Sequence, residues 1–432
     1  MKRYAMEKLL EWKDRPNRKP LLLKGARQVG KTWLMKEFGR LYFKKTAYIS
    51  FFNNRTMKAI FDQDFSMDRL LMSLNIASGV EITPGDTLLI FDEIQEAPRA
   101  LETLKFFCEN GPEYPIIAAG SLLGVAIHEG ISYPVGKVDE LDLHPLNFRE
   151  FLDAMGESSL VRALASEDKN LWNDWKDRFL FWLRNYYYVG GMPEIVDFFR
   201  EHKDYKEVRR LQQQILSQYD GDFGKHVKGT DLARLRMVWN GIPLQLAKEN
   251  KKFFFGQIKK GSRLKDFEIA IEWLLDCGLI HKVFRVTKSA MPLKAYVDLT
   301  AFKLYMVDIG LLGALSELDA LSILEGNQIF TEFKGALTEQ FVLQQLVSDT
   351  GLTPYYLSDE SRMELDFLVQ KGRNIVPIEV KAEDNLQAKS LKVYCGKYHP
   401  FLAIRTSTAG WREQDWMVNV PLYGLTSYLK EI

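Results

Sequence analysis

The residues GARQVGKT (25–32) match the pattern G-x-x-x-x-G-K-[ST] in every fixed position. The apolar run LLLK precedes them and the helix-like stretch TWLMKEFGRLY follows. Between a strand and a helix, successive backbone N–H groups and the helix N-terminus form a concave anion site. A strand–turn–helix with chance glycines is the alternative, but it would rarely reproduce both the match and the placement. We predict a phosphate-binding loop built from Gly25, Ala26, Arg27, Gln28, Val29, Gly30, Lys31 and Thr32.

The residue types of this loop have separate tasks. Gly25 and Gly30 let the backbone approach phosphate oxygens without a clash from Cβ. Lys31 is expected to reach the β- and γ-phosphates of a nucleotide, and the Thr32 hydroxyl to ligate Mg²⁺. The loop therefore predicts ATP and Mg²⁺ as cofactors.

A second apolar run, TLLIFDE (87–93), ends in two carboxylates. Asp92 can hold Mg²⁺ through its water shell, and Glu93 can polarise a water for attack on the γ-phosphate. Acidic residues also end strands as simple solvated caps. The separation from Lys31, however, leaves room for one intervening strand, TAYISF (46–51), which is typical of the AAA+ and RecA-like branch.

Short apolar runs alternate with helix-length segments from residue 20 to about 145, which predicts a mainly parallel sheet covered on both faces. Besides those above, the expected strands are PLLLKG (20–25), YPIIAAGS (114–121) and VDELDL (138–143). Ser121 ends the run expected beside the acidic strand. It could contact the γ-phosphate or the attacking water, or could simply cap the strand.

The composition is that of an ordinary folded protein. Lys and Arg number 58 and Asp and Glu 57, so the net charge of +1 argues against capture of nucleic acid or anionic membrane by the whole chain. Three distant cysteines without a C-x-x-C pair indicate reduced thiols and a cytoplasmic location. No apolar run is long enough to predict a membrane span.

The residue composition changes twice in the middle of the chain. Residues 146–220 are expected to be mostly helical, with a break at Gly190-Gly191-Met192-Pro193. Residues 200–300 carry 20 Lys and Arg against 12 Asp and Glu, a local charge of +8. A helix, a stop at Cys277-Gly278 and a β-branched strand then resemble the end of a winged helix, although many helix–strand pairs share that order. We predict weak, salt-dependent DNA contacts from residues 200–300.

The stretch MELDFLVQKGRNIVPIEVKA (363–382) predicts a β-hairpin whose turn centres on Gly372-Arg373. That turn would place Asp366 opposite Glu379. Two facing carboxylates destabilise a hairpin unless a positive group lies between them. Lys381 and a divalent cation are the two candidates.

Asp366, Glu379 and Lys381 fit the D-x₁₂-E-x-K pattern of the PD-(D/E)XK nuclease fold. In that pattern the carboxylates bind Mg²⁺ and the lysine orients or activates water. Glu339, on the preceding helix, would supply a third carboxylate. The alternative is a solvated hairpin face held by a Lys–Glu pair.

Motifs similar to those of one protein family run along nearly the whole chain: GARQVGKT, LLIFDEIQ, AAGSLLG, LDLHPLNFREFL, GGMPE, KLYMVDIGLL, KGALTEQFV, and ELDFLV followed by VPIEVK. The chain resembles a family of predicted ATPases with an AAA+ core followed by a domain of unknown function. In that family the second part carries a winged helix and a restriction-endonuclease-like fold. One departure is Gly136-Lys137, where members usually have Gly-Arg. Lys137 supplies charge but no bidentate fork, and Arg149 is a further cation for which a salt bridge is expected.

The resemblance implies an α/β fold of four parts. They are a P-loop AAA+ three-layer core (1–145), a helical lid (146–222), a winged-helix-like segment (223–325) and a nuclease-like domain (326–432). The first functional interpretation is an ATP-hydrolysing protein with a DNA-directed, nuclease-like module; assembly into a homo-oligomer is left open. The second is a nucleotide-dependent signalling switch whose degenerate nuclease-like domain recognises a protein. The third is a motor acting on protein.

Overall fold

The chain forms two compact units. The computed structural model describes residues 1–63, 65–121, 133–248, 252–253, 256, 261, 263–324, 331–359, 363–382 and 387–432. The P-loop unit comprises residues 2–144 and 276–279, and the C-terminal unit comprises residue 1 with residues 145–275 and 280–432. The lid, winged-helix-like segment and nuclease-like domain expected after residue 145 thus fall almost wholly within one unit. Their further division stays a prediction.

The P-loop unit is built on a five-stranded sheet in which every recorded pair of neighbours is parallel. Each expected strand is present: β1 (Leu21–Lys24), β2 (Lys45–Ser50), β3 (Thr87–Asp92), β4 (Ile116–Ala119) and β5 (Asp139–Asp142). The strand order is β2-β3-β4-β1-β5. Because the strands are parallel, the carboxyl ends of β1, β3 and β4 meet at one edge of the sheet, where the predicted loop and carboxylates lie.

Five helices are described in this unit: α1 (Ala5–Asp14), α2 (Lys31–Tyr42), α3 (Arg55–Phe61), α4 (Met67–Ser78) and α5 (Pro98–Asn110), with a 3₁₀ turn at Ile94–Glu96. Pro98 suits the first turn of α5 because its missing N–H would have had no helical partner. Phe51, Phe61 and Phe91 pack edge to face, with centroids 5.3–5.8 Å apart. All six residues of β3 are buried, so the acidic strand is rigidly held.

The remaining helices that the structure describes lie in the C-terminal unit, except that Asp276 belongs to the P-loop unit. They are α6 (Phe148–Ala154), α7 (Ser158–Leu164), α8 (Asn170–Asp174), α9 (Lys176–Val189), α10 (Pro193–His202), α11 (Tyr205–His226), α12 (Gly229–Leu246), α13 (Glu268–Asp276), α14 (Ile309–Leu315), α15 (Ala320–Leu324), α16 (Thr331–Gln345), α17 (Lys389–Tyr398) and α18 (Leu425–Glu431). Short turns lie at Leu264–Asp266, Leu293–Tyr296, Leu346–Thr350 and Leu422–Gly424. None of the described helices is long and apolar enough to cross a membrane.

An eight-stranded sheet forms the other half of this unit, in the order β12-β13-β11-β10-β9-β8-β6-β7. The strands are β6 (Ile280–Val286), β7 (Val297–Met306), β8 (Pro354–Asp359), β9 (Met363–Lys371), β10 (Asn374–Val380), β11 (Ile404–Ser407), β12 (Arg412–Gln414) and β13 (Met417–Pro421). β6 pairs with β7 on one side and with β8 on the other. Strands from the predicted winged-helix-like and nuclease-like segments therefore share one sheet.

The predicted hairpin is formed by β9 and β10 in the expected register. Gln370 pairs with Ile375, and the pairing continues to Phe367 with Ile378. Gly372 in the turn has a φ of +57°, a conformation that favours glycine. From Ile378 onward, β10 pairs with β11 on its other side, and Glu379 lies opposite Arg405.

Candidate functional site

The phosphate loop joins β1 to α2 and requires glycine at two positions. Gly25 has a φ of +143°, and a Cβ there would lie 2.2 Å from the Leu143 carbonyl oxygen. Gly30, immediately before α2, has a φ of +92°. Ala26 and Val29 are buried and anchor the loop to the unit. The chain therefore bends here into a concave loop that a larger residue would prevent.

Lys31 lies inside this loop. Its ammonium donates hydrogen bonds to the carbonyl oxygens of Gly25 and Ala26, both at 2.8 Å. The side chain is buried, and burial lowers the pKa of Lys31 to about 8, although Glu93 and Asp92 act in the opposite direction. A buried ammonium that loop carbonyls hold in place is suited to bind the negative charge of a phosphate group.

Asp92 receives hydrogen bonds from three elements. Its Oδ2 accepts from the Thr32 hydroxyl at 2.7 Å and from the Tyr48 hydroxyl at 2.9 Å, and its Oδ1 accepts from the Glu93 N–H at 3.0 Å. Thr32 and Asp92, predicted separately as Mg²⁺ ligands, are therefore neighbours. Tyr48 was not predicted, because its only sequence signal is an aromatic residue on the strand beside the acidic one.

Glu93 directly follows β3 in a left-handed conformation, with a φ of +52°. Such a conformation is costly for a residue with a side chain and tends to cluster at functional sites. Its Oε2 accepts a hydrogen bond from the Gln95 amide at 2.6 Å. Glu93 is half-buried, so its carboxylate is both oriented and open to water.

The three carboxylates predicted in the C-terminal unit each have partners within the protein. Glu379 pairs with Lys381 at 2.7 Å and accepts from the Leu391 N–H at 3.1 Å. Asp366 accepts from the Val380 N–H at 2.7 Å. Glu379 is buried, so the alternative of a solvated hairpin face does not describe this carboxylate.

Lys303, on β7, lies among these acids and is the residue that sequence reasoning missed here. Its ammonium is 3.1 Å from a Glu364 oxygen and 4.0 Å from Glu339 Oε2, and its side chain is only 1% exposed. Tyr305 donates to the same Glu339 oxygen at 3.2 Å. Burial lowers the pKa of Lys303, but the carboxylates of Glu339, Glu364 and Asp366 raise it more, so it lies above its usual value.

A buried ammonium thus neutralises the cluster that the sequence assigned to a metal. Within the described residues, no three His, Cys, Asp or Glu side chains form a group that could hold a metal ion. The metal roles of Glu339, Asp366 and Glu379, and the catalytic role of Lys381, stay predictions.

Many cations of the basic middle segment are engaged in ion pairs with neighbouring acids. The pairs are Arg210–Glu207, Lys225–Asp222, Arg234–Asp231, Arg236–Asp220, Lys282–Glu272 and Arg285–Asp298. Residues 248–265 hold seven Lys and Arg and a single acidic residue, Glu249. Most of that stretch lies outside the described residues, as does part of the predicted winged helix.

Comparisons with known proteins bear on both units. A family model described as an AAA domain matches residues 17–152. Two further models, both described as domains of unknown function, match residues 180–322 (DUF8612) and 334–423 (DUF4143). No curated protein matches the chain.

Several solved structures are similar to the chain at low identity. The Walker-type ATPase PABY2304 of Pyrococcus abyssi is 15% identical with a TM-score of 0.46, over 73% of this chain and 95% of that one. The RuvB Holliday junction branch migration motor of Thermotoga maritima is 15% identical with a TM-score of 0.31, over 65% and 89%. The Aeropyrum pernix Orc1 protein in complex with DNA is 13% identical with a TM-score of 0.28, over 72% and 90%. Structural similarity at these TM-scores gives no evidence for the activity of this chain.

Two other predicted positions in the P-loop unit are Ser121 and Lys137. Ser121 comes just after β4 and is buried, and β4 is the neighbour of β3. Residues 122–124 of the AAGSLLG motif lie outside the described residues. Lys137 pairs with Glu109 at 2.8 Å. In the C-terminal unit, Arg149 forms an ion pair with Asp349 at 3.6 Å.

A short segment from far along the chain completes the P-loop unit. Residues 276–279 belong to this unit, and Gly278 has a φ of +67°. A Cβ on Gly278 would lie 3.2 Å from the Ala26 backbone nitrogen. The predicted glycine stop after α13 therefore also allows a close backbone approach to the phosphate loop, which no local pattern could indicate.

Proposed function

We propose that the AAA domain binds ATP together with Mg²⁺ and hydrolyses it. The observation that carries the proposal is the convergence of Lys31, Thr32, Asp92 and Glu93 at the carboxyl ends of β1 and β3. The Thr32 hydroxyl and the Asp92 carboxylate are 2.7 Å apart and offer the oxygen ligands that Mg²⁺ prefers. When bound, the cation supplies neutralisation of phosphate charge.

Lys31, Glu93 and Ser121 have separate roles in the proposed hydrolysis. Lys31 stabilises negative charge that develops on the β- and γ-phosphates. Glu93 orients a water and accepts its proton as the water oxygen attacks the γ-phosphorus. The bond from that phosphorus to the bridging oxygen breaks, and ADP and phosphate are released. Ser121 is proposed to contact the γ-phosphate or the water.

A Lys31→Ala variant tests the nucleotide site. We expect most of the nucleotide affinity to be lost while the thermal unfolding midpoint stays close to that of the wild type. Lys44→Ala is the matched control, because Lys44 is an exposed lysine of the same unit paired with Asp86. Wild-type affinity in a folded Lys31→Ala protein would contradict the assignment.

We further propose that nucleotide occupancy controls how the C-terminal unit engages a macromolecular partner, with DNA as the first candidate. The support is the local charge of +8 over residues 200–300. The second candidate is a switch whose degenerate nuclease-like domain recognises a protein. The internal partners of Glu339, Asp366 and Glu379 favour this second candidate over DNA cleavage.

ATP turnover with and without DNA, measured beside a nuclease assay, separates these candidates. Stimulation of turnover by DNA supports the DNA-directed function. Turnover that DNA leaves unchanged, with no cleavage, supports the protein-directed switch. A wild type that binds no nucleotide would contradict both candidate functions.

A further inference from the structure

Tyr48 is placed by the sheet to reach the acidic end of the neighbouring strand. β2 pairs with β3 in this sheet, and Tyr48 lies opposite Ile90 in the register. Asp92 is two residues further along β3, on the same face as Ile90. A tyrosine is long enough to span this diagonal, and its hydroxyl donates to Asp92 Oδ2 at 2.9 Å.

Helix α2 holds the tyrosine ring from the other side. The Lys36 ammonium lies 3.8 Å from the centroid of the Tyr48 ring, within the range of a cation–π contact. Lys36 is four residues after Thr32, so the two side chains share one face of the helix. One helix face therefore supplies both the contact to the ring and the second hydroxyl on Asp92.

The Thr32 and Tyr48 hydroxyls donate to the same Asp92 oxygen, but they differ in what else they can bind. Thr32 can ligate a cation through its oxygen while its hydrogen stays on Asp92. Tyr48 lies on the neighbouring strand, and its hydroxyl contacts the carboxylate from outside the phosphate loop. A phenol is protonated at neutral pH, so the Tyr48 hydroxyl is a hydrogen-bond donor there.

We propose that Tyr48 is a positioning residue for the metal side of the nucleotide site: its hydroxyl fixes the Asp92 carboxylate in the orientation that Mg²⁺ bound with nucleotide requires. This inference rests on the proposed ATP site. It assigns to a residue of β2 a role beside that of Thr32, which donates to the same carboxylate oxygen.

The experiment compares wild type with Tyr48→Phe in the full chain: Mg²⁺ is titrated at a fixed concentration of a fluorescent ATP analogue, and the analogue itself is titrated in EDTA. Removing a hydrogen bond to a metal-binding group typically costs ~10-fold or more in metal affinity. We expect the Mg²⁺ concentration for half-maximal nucleotide binding to rise about tenfold. The affinity in EDTA should stay unchanged, since the ring and its contact with Lys36 remain.

Two further variants make the result specific. Tyr42→Phe removes the hydroxyl of a surface tyrosine on α2 and should leave the Mg²⁺ requirement unchanged. In an Asp92→Asn background, Tyr48→Phe should add little, because both changes act through the same carboxylate.

Each outcome decides the inference. If the affinity falls equally with and without Mg²⁺, Tyr48 has only a structural role and the inference is wrong. It is also wrong if Tyr48→Phe matches the wild type in a protein whose nucleotide binding depends on Mg²⁺. A wild type that binds no nucleotide would instead contradict the proposed function.

Discussion

Lys31 and Lys303 are both buried lysines, yet their surroundings shift their pKa values in opposite directions. Lys31 faces loop carbonyls, and burial lowers its pKa to about 8. Lys303 is enclosed by Glu339, Glu364 and Asp366, whose charges outweigh burial and raise its pKa. A lysine whose pKa lies near neutral pH can gain a proton when an anion binds. A lysine among carboxylates is positively charged throughout the neutral range.

The first prediction at the residue scale concerns the proton of Lys31. Bound phosphates should raise its pKa, so nucleotide binding above pH 8 should take up protons. The nucleotide affinity is therefore highest below the pKa that Lys31 has in the nucleotide-free protein, and it falls as the pH rises above about 8. Calorimetry at pH 6.5 and 8.5, in buffers of different ionisation enthalpy, measures this uptake. Uptake that persists in Lys31→Arg, which cannot lose its proton, would assign it to another group.

The second prediction concerns Glu93. Glu93→Gln keeps the side-chain shape but cannot accept a proton, so nucleotide binding should persist while turnover falls by about 10²-fold or more. Steady-state hydrolysis and nucleotide affinity are the two measurements. Glu96→Gln, which changes a nearby acid paired with Lys58, should retain activity. Wild-type turnover in Glu93→Gln would place the base elsewhere.

The third prediction concerns Lys303. Lys303→Met leaves buried carboxylates without their cation, and removing one partner of a buried ion pair costs about 3–5 kcal/mol of unfolding free energy. Urea unfolding of nucleotide-free protein measures this loss, and added Mn²⁺ should leave the stability of the wild type unchanged, because Lys303 already neutralises the cluster. Stabilisation of the wild type that Asp366→Asn abolishes would instead support the metal site predicted from the sequence.

At the scale of elements, motifs distant in sequence meet around one buried carboxylate. Asp308, just before α14, accepts from the Gly191 N–H at 2.6 Å and from the Gln344 amide at 3.3 Å. The Gly191 carbonyl accepts from the Leu146 N–H at 2.7 Å. Segments of LHPLNFREFL, GGMPE and MVDIGLL therefore serve a shared packing site with α16.

Gly191→Ala tests this junction. A Cβ at Gly191 would lie 2.1 Å from the Leu146 carbonyl oxygen, so the backbone must shift, and such overpacking typically costs about 1–3 kcal/mol or more. Urea unfolding measures the loss. Gly396→Ala in α17 is the control: its Cβ meets nothing within 4 Å, and a helical alanine should stabilise slightly. Equal stability of the two variants would contradict the close contact.

At the scale of the whole molecule, charge is balanced overall but uneven along the chain. The net charge is +1, while residues 200–300 carry +8. Many described cations of that segment are paired with acids, and exposed pairs of this kind contribute little to stability but reduce the charge left for a partner. Residues 248–265, with seven Lys and Arg against one acid, are therefore the first stretch in which to test the DNA prediction.

The last prediction is weak DNA binding by the full chain that falls steeply with salt. Lys259→Gln with Lys260→Gln should weaken binding and make the salt dependence shallower, because fewer phosphates are neutralised. Lys282→Gln, at a lysine paired with Glu272, should change little. Fluorescence anisotropy with labelled DNA at several salt concentrations measures both quantities. No binding even at low salt would favour a protein partner.

The sequence alone was sufficient for features set by neighbouring residues. Glycine spacing and apolar runs predicted the phosphate loop and the five strands around it, and the turn at Gly372 predicted the register of the β9–β10 hairpin. These features depend on backbone conformation and short-range periodicity, which the local sequence specifies.

Only the tertiary structure decided which side chains meet. Lys303 reaches Glu339, Glu364 and Asp366 from another strand, Tyr48 reaches Asp92 across a strand pair, and Gly278 approaches Ala26 from far along the chain. β6 and β7 likewise join the C-terminal sheet rather than standing apart. Strand order and packing bring these groups together over long sequence separations, and no local pattern encodes them.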